Sequence, residues 1–206
     1  MPSVSRDYVP VDGRWKGFEL AQVGRFGVRQ VRSGITVEYR TRSGSPYRTK
    51  LFADGDTRWL GPSKPQLPYG LETLELRGRS IFLTEGESCA LALRLAYPNT
   101  AVLGIPGANS WKADWTSYAE PFERVYLSFD ADEAGATLLK DVLTDIPAAR
   151  PILLPHGADT RDVLQTLGKN AYRVLIEHAN ATWNFNDAFN RRQIVERVYS
   201  GLGPNV

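Results

Sequence analysis

Polar and apolar residues alternate along the first part of the chain in a way that predicts short strands. Val37, Tyr39 and Thr41 alternate with charged neighbours, which is the period of a half-buried strand. Turn-forming Ser, Gly and Pro residues follow, and two further alternating segments come after them. The pattern predicts a small antiparallel sheet whose strands lie at about 35–42, 47–52 and 57–60.

From residue 79 onward, short apolar runs alternate with segments of helical periodicity. Leu139, Val142, Leu143 and Ile146, for example, fall on one face of a helix. Strands that alternate with helices predict a parallel sheet with helices on both faces. The expected strands lie at 80–84, 100–105, 124–129 and 151–154, and the expected helices at about 87–97, 111–119, 132–145 and within 160–200.

The fold class is therefore predicted to be α/β, with three segments. A basic, β-rich subdomain is expected at 1–78, the parallel-sheet domain at 79–157, and C-terminal helices at 158–206. Residues 1–79 contain 14 Lys and Arg against 8 Asp and Glu, whereas the remainder contains 11 against 15. This asymmetry indicates a polyanion-binding surface beside a different kind of site. Chance segregation of solvated charges is the alternative.

Composition excludes several classes of protein. The chain is 42% hydrophobic and 23% charged, as in ordinary globular proteins. Its longest apolar run is far shorter than the roughly 20 residues that span a membrane, and no basic-then-apolar leader opens it. A cytoplasmic protein without a membrane partner is expected. A single Cys excludes a thiolate zinc cluster within the sequence.

Carboxylates follow three of the predicted strands. Glu85 follows the first, Asp130 and Asp132 the third, and Asp159 and Asp162 the fourth. Parallel sheets bind ligands beyond the carboxyl ends of their strands, and neighbouring strands lie about 4.8 Å apart. Acids gathered so closely repel one another unless a cation lies between them, and oxygen ligands favour Mg²⁺ (or Mn²⁺). The chemistry implied is metal-dependent phosphoryl transfer.

Helix capping is the alternative explanation for these acids, because a carboxylate after a strand often accepts N–H bonds at the start of the next helix. It applies to Asp132, and for Asp159 and Asp162 it is as good an explanation as metal binding. Glu85 directly follows an apolar strand and precedes Gly86, which favours a role in a site.

Three motifs resemble the TOPRIM domain, the metal-binding core of bacterial-type primases, type IA and type II topoisomerases and some nucleases. They are 81–87 (IFLTEGE), 103–108 (LGIPGA) and 125–135 (VYLSFDADEAG), within about 79–157. The resemblance implies that Glu85, Asp130 and Asp132 serve the metal-dependent reaction. Residues 154–162, with Asp159 and Asp162, resemble the primase segment that supplies further acids. Primases often carry Asp four residues after the Glu, where this chain has Cys89, which we expect to be a buried apolar residue.

The preceding segment is similar to the amino-terminal half of a bacterial primase polymerase domain. The similarity lies in the order of basic residues before Tyr69-Gly70-Leu71. It implies contacts with template or incoming nucleotide, for which Arg and Lys suit phosphate. A solvated edge-strand face is the alternative for these side chains. The basic residues concerned are Arg40, Arg42, Lys50, Arg58 and Lys64.

These features predict a primase-type nucleotidyltransferase that makes short primers on single-stranded DNA from nucleoside triphosphates. A TOPRIM nuclease, in which water attacks nucleic-acid phosphate at the same metals, is one alternative. A non-catalytic nucleic-acid-binding module of a larger replication protein is another. Phage and plasmid proteins with similar sequences join this module to a replicative helicase, so a helicase is an expected partner. A topoisomerase is not favoured, because 206 residues leave little room for strand-passage domains.

Overall fold

The computed structural model describes residues 13–53, 56–76 and 78–182. The predicted turn at 54–55 and the predicted helical region beyond 182 lie outside these residues. The strands are β1 (Arg14–Trp15), β2 (Phe18–Glu19), β3 (Val28–Val31), β4 (Gly34–Arg40), β5 (Pro46–Ala53), β6 (Asp56–Leu60), β7 (Ser80–Glu85), β8 (Ala101–Ile105), β9 (Arg124–Ser128) and β10 (Arg150–Pro151).

The α-helices lie mainly in the second half of the described chain. They are α1 (Leu20–Val23), α2 (Gly86–Ala96), α3 (Thr116–Ala119), α4 (Glu133–Asp145), α5 (Thr160–Asp162) and α6 (Gly168–Thr182). A π-helical turn at Val163–Leu167 joins the last two, and 3₁₀ turns lie at Gly24–Phe26, Leu71–Glu75, Ala108–Ser110 and Ala113–Trp115. None of the helices in the described segments is long and apolar enough to cross a membrane.

The first large sheet is antiparallel, with strand order β3-β4-β5-β6. Val37 pairs with Lys50, and Lys50 with Trp59, so these three side chains lie on one face. That face packs against the rest of the protein through buried residues such as Ile35 and Tyr39. The predicted antiparallel sheet is confirmed, and β3 is an additional strand that the alternation pattern did not indicate.

The second large sheet is parallel, with strand order β10-β9-β7-β8. Its two faces are covered separately, as predicted for an α/β fold. On one face Ile81 and Leu83 of β7 belong to the same cluster as Leu138 of α4. On the other, Phe82 belongs with Leu91 of α2 and Tyr172 of α6. The central strand is therefore buried on both sides, which explains its unbroken apolar sequence.

The apolar cluster that contains Phe82 and Tyr172 also joins the two sheets. Val37 and Tyr39 of the antiparallel sheet lie in it with Phe82 of the parallel sheet and Leu91 of α2. Because α2 begins directly after Glu85, the antiparallel sheet rests beside the edge where the predicted site lies.

Two predicted elements are shorter than expected. The fourth parallel strand has only two residues. Beyond it, the N–H of Ile152 donates one more hydrogen bond to the carbonyl of Leu127, and the chain then turns at Pro155, which ends the pairing. The helix expected at 111–119 is broken into a 3₁₀ turn and the four-residue α3. The hydroxyls of Thr116 and Ser117 bond to carbonyls three residues earlier and thus compete with a regular helix.

Candidate functional site

The carboxyl edge of the parallel sheet brings together Glu85, at the end of β7, and Asp130, just past the end of the adjacent strand β9. Glu85 is the last residue of β7 and lies opposite Ile105 of β8. Thr84 lies opposite Ser128 of β9, so Asp130 follows that pair by two residues. The central position of β7, between β9 and β8, places its terminal Glu between two other strand ends.

Electrostatic coupling shows that four acids share this edge. Burial, together with the charges of Glu85, Asp159 and Asp132 and against an opposing effect of Arg161, raises the pKa of Asp130 to about 7. Burial and the charge of Asp132 also raise the pKa of Glu85. The half-buried cluster therefore carries more negative charge than its protein surroundings compensate.

One oxygen of the cluster is left without a protein partner. Glu85 Oε2 is buried and accepts no hydrogen bond from any residue in the described parts of the chain. A buried, unpaired carboxylate oxygen is costly unless something outside the protein completes its interactions.

Asp132 has a capping bond in addition to its position in the cluster. Its side chain accepts the backbone N–H of Gly135 at 2.8 Å, which makes it the N-cap of α4. The close approach explains the glycine, because a Cβ at residue 135 would lie 2.0 Å from the carbonyl oxygen of Asp130. The Asp-x-Asp-x-x-Gly sequence is thus a compact turn that fixes both acids relative to each other.

Asp159 and Asp162 form a capping box at the start of α5. Asp159 Oδ1 accepts the N–H of Asp162 at 2.7 Å, and Asp162 reaches back to the N–H of Asp159 at 3.5 Å. Arg161, which the sequence analysis missed, pairs with both acids at 2.9 and 3.0 Å. Asp159 faces Asp130, whereas the side chain of Asp162 is 48% exposed and serves the cap. Capping, the alternative that the sequence left open, thus accounts for Asp162.

The loop that carries Asp159 is held against the loop that carries Asp130. Ala131 donates its N–H to the carbonyl of Ala158 at 3.1 Å, and Gly157 donates to Ala131 at 3.2 Å. A buried hydroxyl chain lies behind them: Tyr172 donates to Ser128 Oγ at 2.7 Å, and Ser128 Oγ lies 2.6 Å from Thr160 Oγ1. These contacts fix the end of β9 and the start of α5 as one unit.

Cys89 lies beside the acids as a neutral thiol. It is 2% exposed, and its Sγ lies 4.0 Å from Asp130 Oδ1. Burial, with the charges of Asp159 and Asp130, raises the pKa of this thiol well above its ordinary value. The expectation that Cys89 is buried is confirmed. Because its thiol stays protonated, it is a poor metal ligand and a poor nucleophile.

The donor set fits a hard divalent cation that is shared with a substrate. Within residues 13–53, 56–76 and 78–182, no group of three or more His, Cys, Asp or Glu side chains forms a ready-made metal cluster. Mg²⁺ does not require one, because it keeps several waters and is bound by one or two carboxylates together with substrate phosphates. The unpartnered oxygen of Glu85 is the structural observation that fits such a shared cation, and the raised pKa of Asp130 agrees with it.

The pKa of Asp130 predicts an unusual pH dependence of stability. The folded state retains a proton up to about pH 7, whereas the unfolded chain loses it near 3.8, so metal-free protein should become less stable as pH rises between these values. Thermal unfolding of the wild type and of Asp130→Asn, each with EDTA and with MgCl₂, measures this. We expect the variant to lack that decrease, and Mg²⁺ to raise the Tm of the wild type more at pH 8 than at pH 5. An equal decrease in both proteins would contradict the assignment.

The five basic residues predicted to bind nucleic acid do not lie on one surface. Arg58 pairs with Leu51 in the sheet and so faces away from Lys50. Four of the five are exposed or half-buried and contact nearby oxygens: Arg40 with Glu38 (2.8 Å), Arg42 with Glu75 (2.6 Å), Arg58 with Asp56 (2.7 Å) and Lys64 with the carbonyl of Tyr47 (2.9 Å).

Lys50 differs from the other four because it is buried. Only 9% of the residue is exposed, and its Nζ donates to Glu87 Oε1 at 2.8 Å. The hydroxyl of Tyr39 donates to the same oxygen. Burial, with the charge of Glu87, raises the pKa of Tyr39, which keeps this hydroxyl protonated. Alternation along β5 did not indicate which face would be covered, so the sequence analysis grouped Lys50 with the four other basic residues.

Comparisons with known proteins agree with this architecture. No family model matches the chain. One chain of the bacteriophage T7 lagging-strand DNA polymerase structure, with primase domains of two gp4 subunits bound to an RNA/DNA hybrid and dTTP, is similar at a TM-score of 0.67 and 22% identity, over 79% of this chain and 88% of that one. The RNA polymerase domain of the Mycobacterium tuberculosis primase DnaG is similar at a TM-score of 0.56 and 20% identity, over 88% of this chain and 71% of that one.

A relative at the sequence level identifies the family. The gene 57 protein of Mycobacterium phage D29 is 30% identical over 135 residues, which are 65% of this chain and 87% of that protein. The structural similarities show that the fold is that of phage and bacterial primase domains. The chain belongs to the family of the gene 57 protein of Mycobacterium phage D29.

Proposed function

We propose that this protein is a primase-type nucleotidyltransferase that synthesises short primers on single-stranded DNA with Mg²⁺ or Mn²⁺. The observation that carries the proposal is the uncompensated acid cluster at the carboxyl edge of the parallel sheet, with Asp130 at its centre. We also propose that residues 79–157 are a TOPRIM-type domain, with a basic subdomain at 1–78 and a helical segment at 158–206. The parallel strand order, with β7 between β8 and β9, supports this assignment.

Glu85, Asp130 and Asp132 are the residues that would hold the metal, with Asp159 beside them. A divalent ion held there would neutralise charge on the phosphate oxygens, which favours attack of a 3′-hydroxyl on an α-phosphate with pyrophosphate as the leaving group. The protein's contribution is positioning: Gly135 fixes Asp132, and Arg161 holds Asp159. Because Cys89 stands where primases often carry Asp, this edge of the sheet has one negative charge fewer than in those primases.

The exposed bases would bind the nucleic-acid and nucleotide phosphates. The ion pairs that Arg42 and Arg58 now make are largely solvent-exposed, at 60% and 56% for the two guanidinium-bearing side chains. Exposed ion pairs contribute little stability, so a guanidinium readily exchanges a carboxylate for a phosphate. Lys64 makes an exposed bond to the carbonyl of Tyr47, whereas the pair of Arg40 with Glu38 is partly buried.

The comparisons support a nucleic-acid substrate. The T7 primase domains are described as bound to an RNA/DNA hybrid and dTTP, and the fold of the present chain is similar. A basic sheet beside the acid cluster favours primer synthesis over a nuclease, which needs no separate nucleotide site. The replicative helicase remains a predicted partner.

The test is a primer-synthesis assay with single-stranded DNA, labelled ribonucleotides or deoxyribonucleotides, and Mg²⁺ or Mn²⁺. We expect short labelled oligonucleotides that disappear when EDTA is added. Template cleavage without synthesis would replace the proposal by the nuclease alternative. Metal-independent DNA binding without either reaction would leave only the non-catalytic module.

A further inference from the structure

Lys50 connects the antiparallel sheet to two strand ends of the parallel sheet. Its Nζ donates to Glu87 Oε1 at 2.8 Å and to the carbonyl of Pro106 at 3.3 Å. Glu87 lies in the first turn of α2, and Pro106 directly follows β8. One side chain from β5 therefore contacts the segments that follow both β7 and β8.

Both contacted segments adjoin Glu85. Glu87 is two residues further along the chain, separated by Gly86, whose positive φ of +70° makes the sharp turn from strand to helix. Pro106 follows Ile105, the β8 residue paired with Glu85. The side chain of Glu87 points to Lys50, while that of Glu85 couples to Asp132. Lys50 thus holds this turn through Glu87, whereas Glu85 lies close enough to Asp132 for their like charges to interact.

The energetics of this contact indicate a role other than stability. Lys50 and Glu87 are 9% and 4% exposed, so both charges have been removed from water. Replacing a buried ion pair by apolar residues of similar volume is often neutral or stabilising. Aromatic side chains surround the ion pair: the Lys50 ammonium lies 5.2 Å from the ring centroid of Phe52 and 5.7 Å from that of Trp59. Tyr39 donates a second hydrogen bond to Glu87.

We propose that Lys50, Glu87 and Tyr39 are positioning residues that hold Glu85 at the metal site and fix the basic sheet relative to it. This role rests on the function proposed above. Lys50 lies on β5, which pairs with the strand that carries Arg58, and Tyr39 precedes Arg40 on β4. The contact therefore sets the distance between these phosphate-binding side chains and the acids. Lys50 acts through Glu87 and contacts no substrate.

The discriminating measurement is the Kd for Mn²⁺, followed by electron paramagnetic resonance or calorimetry at pH 8. Lys50→Met removes a positive charge near the site, so Coulomb's law alone predicts tighter cation binding. Loss of positioning predicts the opposite, and we expect binding to weaken about tenfold, as when residues that orient metal ligands are removed.

Companion variants separate positioning from folding. Lys50→Met combined with Glu87→Gln leaves no unpaired buried charge and should regain much of any lost Tm, yet still bind Mn²⁺ weakly. Tyr39→Phe keeps the ring packing and should show a smaller loss of affinity. Arg79→Ala breaks an exposed pair with Glu123 at the opposite edge of the same sheet and should leave the Kd unchanged.

The outcomes distinguish this inference from the function on which it rests. A wild-type protein that binds no Mn²⁺ would overturn the proposed function itself. If the wild type binds Mn²⁺ and both Lys50→Met and the double variant bind it with the same Kd as the wild type or a lower one, the positioning role would be overturned. Weaker single-stranded DNA binding by Lys50→Met with an unchanged Kd for Mn²⁺ would also overturn it, because Lys50 would then be a direct nucleic-acid ligand.

Discussion

Asp130→Asn is expected to lower the rate of primer synthesis about a thousandfold, because a catalytic metal supplies several kcal/mol of charge stabilisation and each 1.4 kcal/mol corresponds to a factor of ten. Asp130 is the centre of the acid cluster, with its pKa raised by burial and by three neighbouring carboxylates. Asn retains the shape and removes the charge on which metal binding depends. Initial rates of labelled-primer formation at saturating Mg²⁺ measure the effect.

Loss of folding would not explain this result. Since Asp130 lies among like charges, its neutralisation should leave the metal-free protein as stable as the wild type or more stable, which thermal unfolding can verify. Asp141→Asn is the matched control, because Asp141 is an exposed carboxylate on α4 of the same domain. Primer synthesis within tenfold of the wild-type rate in Asp130→Asn would remove Asp130 from the metal site.

Gly135→Ala is expected to lower the free energy of unfolding by about 3 kcal/mol, the upper part of the usual range for overpacking. A Cβ at this position would lie 2.0 Å from the carbonyl oxygen of Asp130 and 2.9 Å from its carbonyl carbon. The obstacle is backbone, which cannot rotate away as a side chain can. Either α4 or the Asp130 turn must move, so Mn²⁺ binding should weaken together with stability. Urea unfolding and a Mn²⁺ titration give the two values.

Gly24→Ala provides the comparison for this variant. Gly24 has helical backbone angles, and a Cβ there meets nothing within 4 Å. We expect its unfolding free energy and Mn²⁺ affinity to match the wild type or to improve slightly through reduced freedom of the unfolded chain. Gly135→Ala with wild-type stability and Mn²⁺ affinity would show that the turn of Asp130 and Asp132 is not rigid.

The strand ends of the site were predictable because they depend on local sequence. Apolar runs of five or six residues that alternate with helical segments already specify parallel strands, and an acid at the end of such a run lies at the carboxyl edge whatever the strand order. The positions of Glu85, Asp130 and Asp132 at this edge were predicted in this way. Arg161 and Glu87 were not, because a charged residue in the first turn of a helix is common on solvated surfaces as well.

The sequence by itself determined the α/β class, the basic front half and the acids at the strand ends, because period, composition and chain order are local properties. Only the tertiary structure decided which face of the antiparallel sheet is covered, and thereby that Lys50 is buried against Glu87 while Arg58 faces away. It also decided that Asp162 serves a cap and that Asp159 joins the cluster. The physical reason is that burial and electrostatic coupling depend on contacts between segments far apart in the chain, which no local pattern encodes.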